Sequence, residues 1–236
     1  MLYVNGDSWS FRHKEYTFPI WPELVAEHLG LELCNQSLGC GSNSRIIDCL
    51  SNQWLSGMNP SIMIFGLTTH QRYHLPAPDL GSWVLNFKSA HNEHTNEVNN
   101  NLSNFFYSKC YKEIDSIYRY YKNIWTIHNY CKKFNSKYLI FQMWDSQLDE
   151  LNLLSSSENI YNYVIKHYPE QDIYAEQYML LFEKLKQLKL QWNYIEKPAS
   201  TNLIATDFDA TKHPNKLGHK KLTNVVLDHL ERLNVI

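Results

Sequence analysis

Near-continuous apolar runs, separated by stretches of helical periodicity, restrict this chain more than any other feature. Ser61–Leu67 (SIMIFGL) and Tyr138–Met143 (YLIFQM) leave almost no polar face, as expected of strands covered on both sides. Met1–Asn5 is a shorter run of the same kind, and Leu31–Asn35 and Trp192–Glu196 read as two further strands. Between them lie segments with apolar residues three and four apart. Trp21–Leu29 places Leu24, Val25, His28 and Leu29 on one face, and Asn43–Leu55 does so with Ile46, Ile47, Leu50 and Leu55. Ser103–Asn135 predicts a long helix with a face of Phe106, Cys110, Ile114, Ile117, Tyr121, Ile124 and Ile127. Ile173–Leu190 is another helix, Gln147–Pro169 stays ambiguous, and Asn215–Leu233 closes the chain with Leu217, Leu222, Val225, Val226, Leu230 and Leu233 inward.

Alternating strands and helices imply an α/β fold: a parallel sheet of about five strands with helices on both faces, a three-layer α/β/α domain. At 236 residues with 44% hydrophobic content, one large core is the natural outcome, so residues 1–236 are expected to form a single domain. The exception is Pro76–Ser103, rich in Asn and His and without periodicity, which reads as a long irregular insertion. Ligands of such sheets sit at the carboxyl ends of the strands. The loops after Asn5, Asn35 and Leu67 are therefore where chemistry is expected.

Composition removes several classes. A net charge of -2 gives no long-range pull toward nucleic acid or an anionic membrane, and no run approaches the roughly 20 apolar residues of a membrane span. The start, MLYVNGDSWS, lacks a basic, apolar leader. The five cysteines are odd in number and include no C-x-x-C pair, which fits a reducing, cytoplasmic setting better than a disulfide framework or a zinc knuckle. His91, His94 and Glu97 are spaced loosely for a metal, and a solvated polar loop is the better reading. Gly39 and Gly41 lack the third glycine and the Lys-Ser/Thr pair of a phosphate cradle. Tyr107, Tyr111, Tyr118, Tyr120, Tyr121 and Trp125 read mostly as a packing stripe.

Two short blocks carry the chemistry. In Gly6-Asp7-Ser8-Trp9-Ser10, a glycine permits a sharp turn off a buried strand and a serine presents its hydroxyl at the sheet edge. A helix or turn cap explains the serine equally well. In Asp207-Phe208-Asp209-Ala210-Thr211-Lys212-His213-Pro214-Asn215, followed by Gly218-His219, proline fixes a histidine on a loop before a helix, with acids upstream to hold its tautomer. Alone, His213 reads equally as a surface loop histidine.

Together, GDSWS near one end and D-x-x-x-HPN-x-x-GH near the other resemble the first and last blocks of the SGNH (GDSL-like) hydrolases, including compact phage-encoded members. The resemblance implies a flavodoxin-like sheet, Ser8 as nucleophile and His213 as base. It implies a substrate that is a small acyl ester, such as an acetylated carbohydrate, and no cofactor or metal. The family's acid stands three residues before the histidine, where this chain has Ala210, so Asp209 is the expected acid, ahead of Asp207. For the oxyanion hole the resemblance implies the Gly41 N–H, and Thr68 where the family carries asparagine, with Asn43 and His70 as neighbours able to contact substrate. A non-catalytic member serving as a binding or virion structural module is the alternative.

Overall fold

A computed structural model describes residues 1–39, 41–75, 83–85, 104–144, 148–170, 172–195 and 197–236. Five parallel strands, β1 (Leu2–Gly6), β2 (Leu33–Asn35), β3 (Ile62–Leu67), β6 (Lys137–Gln142) and β7 (Tyr194–Ile195), pair in the order β2-β1-β3-β6-β7. This is the flavodoxin-like arrangement expected from the alternation of elements. Register runs Val4 opposite Asn35 on one side and Ile64 on the other, with Ile64 opposite Leu139. A separate antiparallel pair, β4 (Tyr73–Leu75) with β5 (Trp83–Leu85), lies outside that sheet.

The helices are α1 (Trp21–Leu29), α2 (Asn43–Leu55), α3 (Glu113–Phe134), α4 (Leu148–Leu151), α5 (Ser157–His167), α6 (Ile173–Lys189) and α7 (Lys216–Arg232). Their ends follow local chemistry. The Glu23 carboxylate accepts the Ile20 N–H at 3.0 Å at the start of α1, and Gly30 takes a left-handed φ of 63° to stop it. Asn215 caps α7 by accepting the N–H groups of Leu217 and Gly218.

Contacts divide the chain into two compact units: residues 1–69, 127–145 and 193–236, and residues 70–126 with 146–192. In the first, alternation along each strand sends Leu2, Val4, Ile62, Ile64, Leu139 and Phe141 to one face, where they pack with Trp21 and Val25 of α1 and Leu222, Val226 and Leu230 of α7. On the other face Met63 meets Cys131 of α3 at 3.7 Å, and Tyr130 of α3 bonds Ser51 of α2. This gives the three layers. The second unit holds the β4–β5 pair, residues 113–126 of α3, and α4 to α6. There Arg119 lies over the Tyr73 ring at 4.4 Å, and Tyr118, Tyr163 and Tyr178 pack around Phe182.

The sequence reading needs correction in places. The long helix begins at Glu113, because Phe106–Cys110 forms a separate wide turn and Tyr111 is extended, leaving Cys110 exposed. In α1 the buried face is Trp21, Pro22, Val25 and Ala26, so His28 points outward. Leu55 and Leu217 are exposed, since each sits at a helix end beyond the sheet-facing stripe. The expected insertion at 76–103 lies outside the described residues except for β5, as do His91, His94 and Glu97.

Candidate active site

The strand order reverses at β1 and β3, so the crevice of this sheet opens at their carboxyl ends. Gly6 ends β1 against Gly66 of β3. A Cβ on Gly6 would stand 2.6 Å from Ser10 Oγ, and one on Gly66 would stand 3.3 Å from it. Both glycines thus leave room for Ser10 beneath the turn. Asp7 is buried and braces that turn: its carboxylate accepts the Trp9 N–H at 3.0 Å and the Trp144 indole N–H. Ser8, carried on the crest, is partly exposed. Its hydroxyl and its N–H make no hydrogen bond among the described residues.

The histidine end is more tightly built. Phe208 and Pro214 form an antiparallel bridge that encloses Asp209–His213, within which residues 210–212 form a three-residue loop. Asp209 N–H donates to the His213 carbonyl at 2.9 Å, Lys212 N–H to the Asp209 carbonyl at 3.1 Å, and Lys212 takes a φ of 63°. This is a turn followed by one left-handed residue, a common short hairpin. Below it, Asn215 donates to the carbonyls of Thr206 and Phe208 while capping α7. A Cβ on Gly218 would overlap the Asp207 carbonyl oxygen, so only glycine fits there. His219 is fully buried and accepts the Trp21 N–H at Nδ1, 3.3 Å away. Burial first, then the neighbouring His13, pushes its pKa down to about 4. The HPN-x-x-GH block is therefore largely a scaffold for one histidine.

Within the hairpin, Asp209 Oδ1 accepts three bonds: Thr211 Oγ1 at 2.5 Å, Thr211 N–H at 2.8 Å and His213 N–H at 3.1 Å. Burial pushes this carboxyl up, but these bonds outweigh it and hold it below the usual range. Thr211 Oγ1 in turn lies 2.9 Å from His213 Nδ1. Asp209 thus reaches the imidazole through a hydroxyl and not directly, which corrects the expectation of a carboxylate facing Nδ1. Asp207 is committed elsewhere: fully buried, it accepts Lys221 Nζ at 2.7 Å and the Ile204 N–H at 2.8 Å. Lys221 chiefly holds its pKa below the usual range.

His213 is half-buried, and burial, then His13, lowers its pKa, while Asp209 and Asp7 act to raise it. The Asp7 contribution puts the ring in the field of the Ser8 turn. Two ring contacts join the same loops: Trp9 to Phe208 at 5.4 Å and His13 to His213 at 4.9 Å. No hydrogen bond joins Ser8 to His213 among the described residues. His13 and Trp144, on loops after β1 and β6, escaped the sequence reading because neither belongs to a motif; the only signal for them was a position just beyond a strand end.

The oxyanion candidates fall into two groups. Gly41 packs against the Ser8 turn, where a Cβ would stand 3.1 Å from the Gly6 carbonyl oxygen. Its N–H, however, donates to the Leu38 carbonyl at 2.9 Å. Asn43 is buried and spends its side chain on Thr68, donating to its carbonyl at 3.0 Å and accepting its N–H at 2.9 Å. It is a clamp on Thr68 in this structure, not a free substrate contact. Thr68 is itself buried, and its hydroxyl has no hydrogen-bond partner among the described residues. His70 belongs to the second unit, where both ring nitrogens are buried without a hydrogen-bond partner among the described residues, Nε2 lies 4.0 Å from Glu113 Oε1, and burial pushes its pKa down to about 4. It is a neutral core histidine there. Among the described residues no group of three or more His, Cys, Asp or Glu is placed to hold a metal ion, and no helix is long and apolar enough to cross a membrane.

The fold that places these residues is that of the SGNH (GDSL-like) hydrolases. Among solved structures, this chain is similar to a psychrotrophic esterase, EstA, from Pseudoalteromonas sp., with a TM-score of 0.51 and 10% identity over 98% of this chain and 97% of that one. It is also similar to a protein from Slackia heliotrinireducens described as an SGNH hydrolase, with a TM-score of 0.50 and 12% identity over 97% of each chain. No protein-family model and no curated protein sequence matches the chain.

Proposed function

We propose that this protein is a serine ester hydrolase. Ser8 is the nucleophile, His213 its general base, and Asp209 the charge behind the histidine. The observation that carries this reading is that, among the described residues, the Ser8 hydroxyl and His213 Nε2 make no hydrogen bond while His213 Nδ1 is tied down by Thr211. That is the arrangement a base needs, because the untied nitrogen must be the one that accepts a proton. In the reaction, Ser8 Oγ adds to the acyl carbonyl and passes its proton to His213 Nε2. The protonated imidazole then gives that proton to the leaving alkoxide, and water repeats the sequence on the acyl-enzyme. The Ser8 N–H and the Thr68 hydroxyl, neither of which has a hydrogen-bond partner among the described residues, are the donors for the oxyanion. The Gly41 N–H joins them if its bond to Leu38 opens. Each such donor contributes about 3 kcal/mol to the transition state.

The substrates to try first are small acyl esters and O-acetylated carbohydrates. A fluorophosphonate probe tests the nucleophile, and the likeness to an esterase studied with monoethylphosphonate makes that chemistry the natural choice. Labelling and p-nitrophenyl acetate turnover should both vanish in Ser8→Ala, with turnover falling about 10⁴-fold or more. Equal labelling of wild type and variant would end this reading. A second reading, a non-catalytic binding or virion module on the same fold, is favoured by one observation: the Gly41 N–H is already satisfied by Leu38. It predicts that the folded wild-type protein takes no label.

A further inference from the structure

We infer that Thr211 is the positioning residue of this site, with its hydroxyl standing between Asp209 and His213 where a direct carboxylate–imidazole contact would otherwise be. The inference rests on the reading of His213 as the base and assigns a role to a residue at an unspecified position of the last block.

Proton counting fixes the direction of each bond. Ionised Asp209 can only accept, and its Oδ1 lies 2.5 Å from Thr211 Oγ1. The single hydroxyl proton of Thr211 therefore goes to Asp209. Oγ1, left with lone pairs only, must accept from His213 Nδ1 across 2.9 Å. Nδ1 thus carries the ring proton, and Nε2 keeps its lone pair free. Thr211 sets the tautomer that Ser8 requires. When Nε2 takes the Ser8 proton, the ring becomes a cation with Nδ1–H still donating to Thr211, and no proton need leave Thr211 or Asp209. The hydroxyl dipole, aligned by Asp209, faces the new charge.

The backbone explains why a hydroxyl serves here. Ala210 occupies the position three residues before His213. Asp209, one residue further back, turns its Oδ1 onto the N–H groups of Thr211 and His213 to hold the hairpin shut. Its Oδ1 makes no bond to the ring, and the Thr211 hydroxyl spans the gap. Lys212, with its left-handed φ of 63°, turns the chain so that residues 211 and 213 share one side of the loop.

The same geometry makes Thr211→Val a clean test. It removes only the bridging oxygen, because Asp209 keeps both backbone N–H bonds and the hairpin stays closed. Imidazole ¹⁵N NMR on histidine-labelled protein, with His213→Gln identifying the signal, reads the tautomer without reference to activity. Wild type and Thr211→Ser should show the Nδ1–H form, and Thr211→Val should shift toward Nε2–H. In turnover, Thr211→Val should lose about ten- to a hundredfold in kcat with KM nearly unchanged, as for an orienting group felt mainly in the transition state. The acid limb of kcat/KM should move to lower pH, because losing an acceptor at Nδ1 disfavours the imidazolium. The other groups acting on the ring, His13, Asp7, Asp209 and the Thr211 backbone carbonyl, are kept in the variant. Thr211→Ser should restore both the rate and the limb.

An Nδ1–H ring in Thr211→Val, or an Nε2–H ring in wild type, would overturn the inference. So would full activity in Thr211→Val from a protein whose turnover depends on Ser8. If Ser8-dependent turnover is absent while the tautomer still follows Thr211, the hydrolase reading fails and the assignment of the ring's partner stands.

Discussion

The two sides of the candidate site are held in opposite ways. On the histidine side, the hairpin from Phe208 to Pro214 is closed by backbone bonds, and its side chains are occupied: Asp209 by three donors, Asn215 by two carbonyls and two N–H groups. On the donor side, the Ser8 N–H and hydroxyl and the Thr68 hydroxyl have no hydrogen-bond partner among the described residues, and the Gly41 N–H is turned into its own loop. A base must be aimed before substrate arrives, and side-chain bonds can do that. Oxyanion donors must be left unsatisfied until charge develops, which costs stability in the resting protein.

The largest effect should come from breaking the support of the histidine side. Gly218→Ala drives a Cβ into the Asp207 carbonyl, which neither α7 nor the hairpin can yield without moving. A loss of about 3 kcal/mol is expected, read as a lower urea midpoint at unchanged slope. Wild-type stability would mean that this side is far more pliable than its bonding implies. The donor side should respond in the opposite sense. Thr68→Val replaces an unsatisfied buried hydroxyl with a methyl of similar shape, so stability should hold or rise by about 1 kcal/mol. If the hydroxyl serves the oxyanion, kcat and kcat/KM should fall together by about tenfold to a hundredfold, or ~1.4–2.7 kcal/mol. A variant that is less stable but equally fast would remove Thr68 from the site and erase the contrast.

The smallest effect concerns pH. His219, buried beneath the hairpin, has a folded pKa pushed down to about 4 from an ordinary 6.5. Below pH 6.5 the unfolded chain binds a proton that the folded protein refuses, so stability falls as pH drops toward 4. Between pH ~6.5 and ~5 the loss should be about 1–2 kcal/mol. His219→Asn, which keeps an acceptor for Trp21, should flatten that part of the curve. An unchanged curve would show that the scaffold beneath the histidine side does not exclude protons as its burial implies.

The same contrast explains what the sequence made legible. All five strands of the sheet were readable, because Leu2–Gly6, Ile62–Leu67 and Lys137–Gln142 are buried almost throughout and so must be apolar. Gly6-Asp7-Ser8 and HPN-x-x-GH could be located because side chains do their work, and side chains are what a sequence spells. The relay through Thr211 was not readable: a threonine between an acid and a histidine is unremarkable until the hairpin turns it toward the ring. Nor was the fate of Gly41, because whether a backbone N–H is free depends on the partner its loop selects, here the Leu38 carbonyl. Asn43 misled for a related reason, since its amide serves the Thr68 backbone twenty-five positions away. The break before Glu113 was hidden by apolar spacing that continues through the wide turn at Phe106–Cys110.

The bond from the Trp21 N–H to His219 joins positions 198 apart, and it has a consequence for how the molecule assembles. Closing a loop of that size costs about 2–3 kcal/mol more in chain entropy than closing one of about ten residues, and contacts so distant in sequence slow folding. β1 and β3 can pair while the last helix is still unattached, so that part of the sheet has no need to wait for it. The first turn of α1 and the loop bearing His213 are fastened only when α7 docks. Local pairing of β1 with β3 and the long-range closure by α7 thus carry very different entropic costs, and the loop bearing His213 depends on the costlier one.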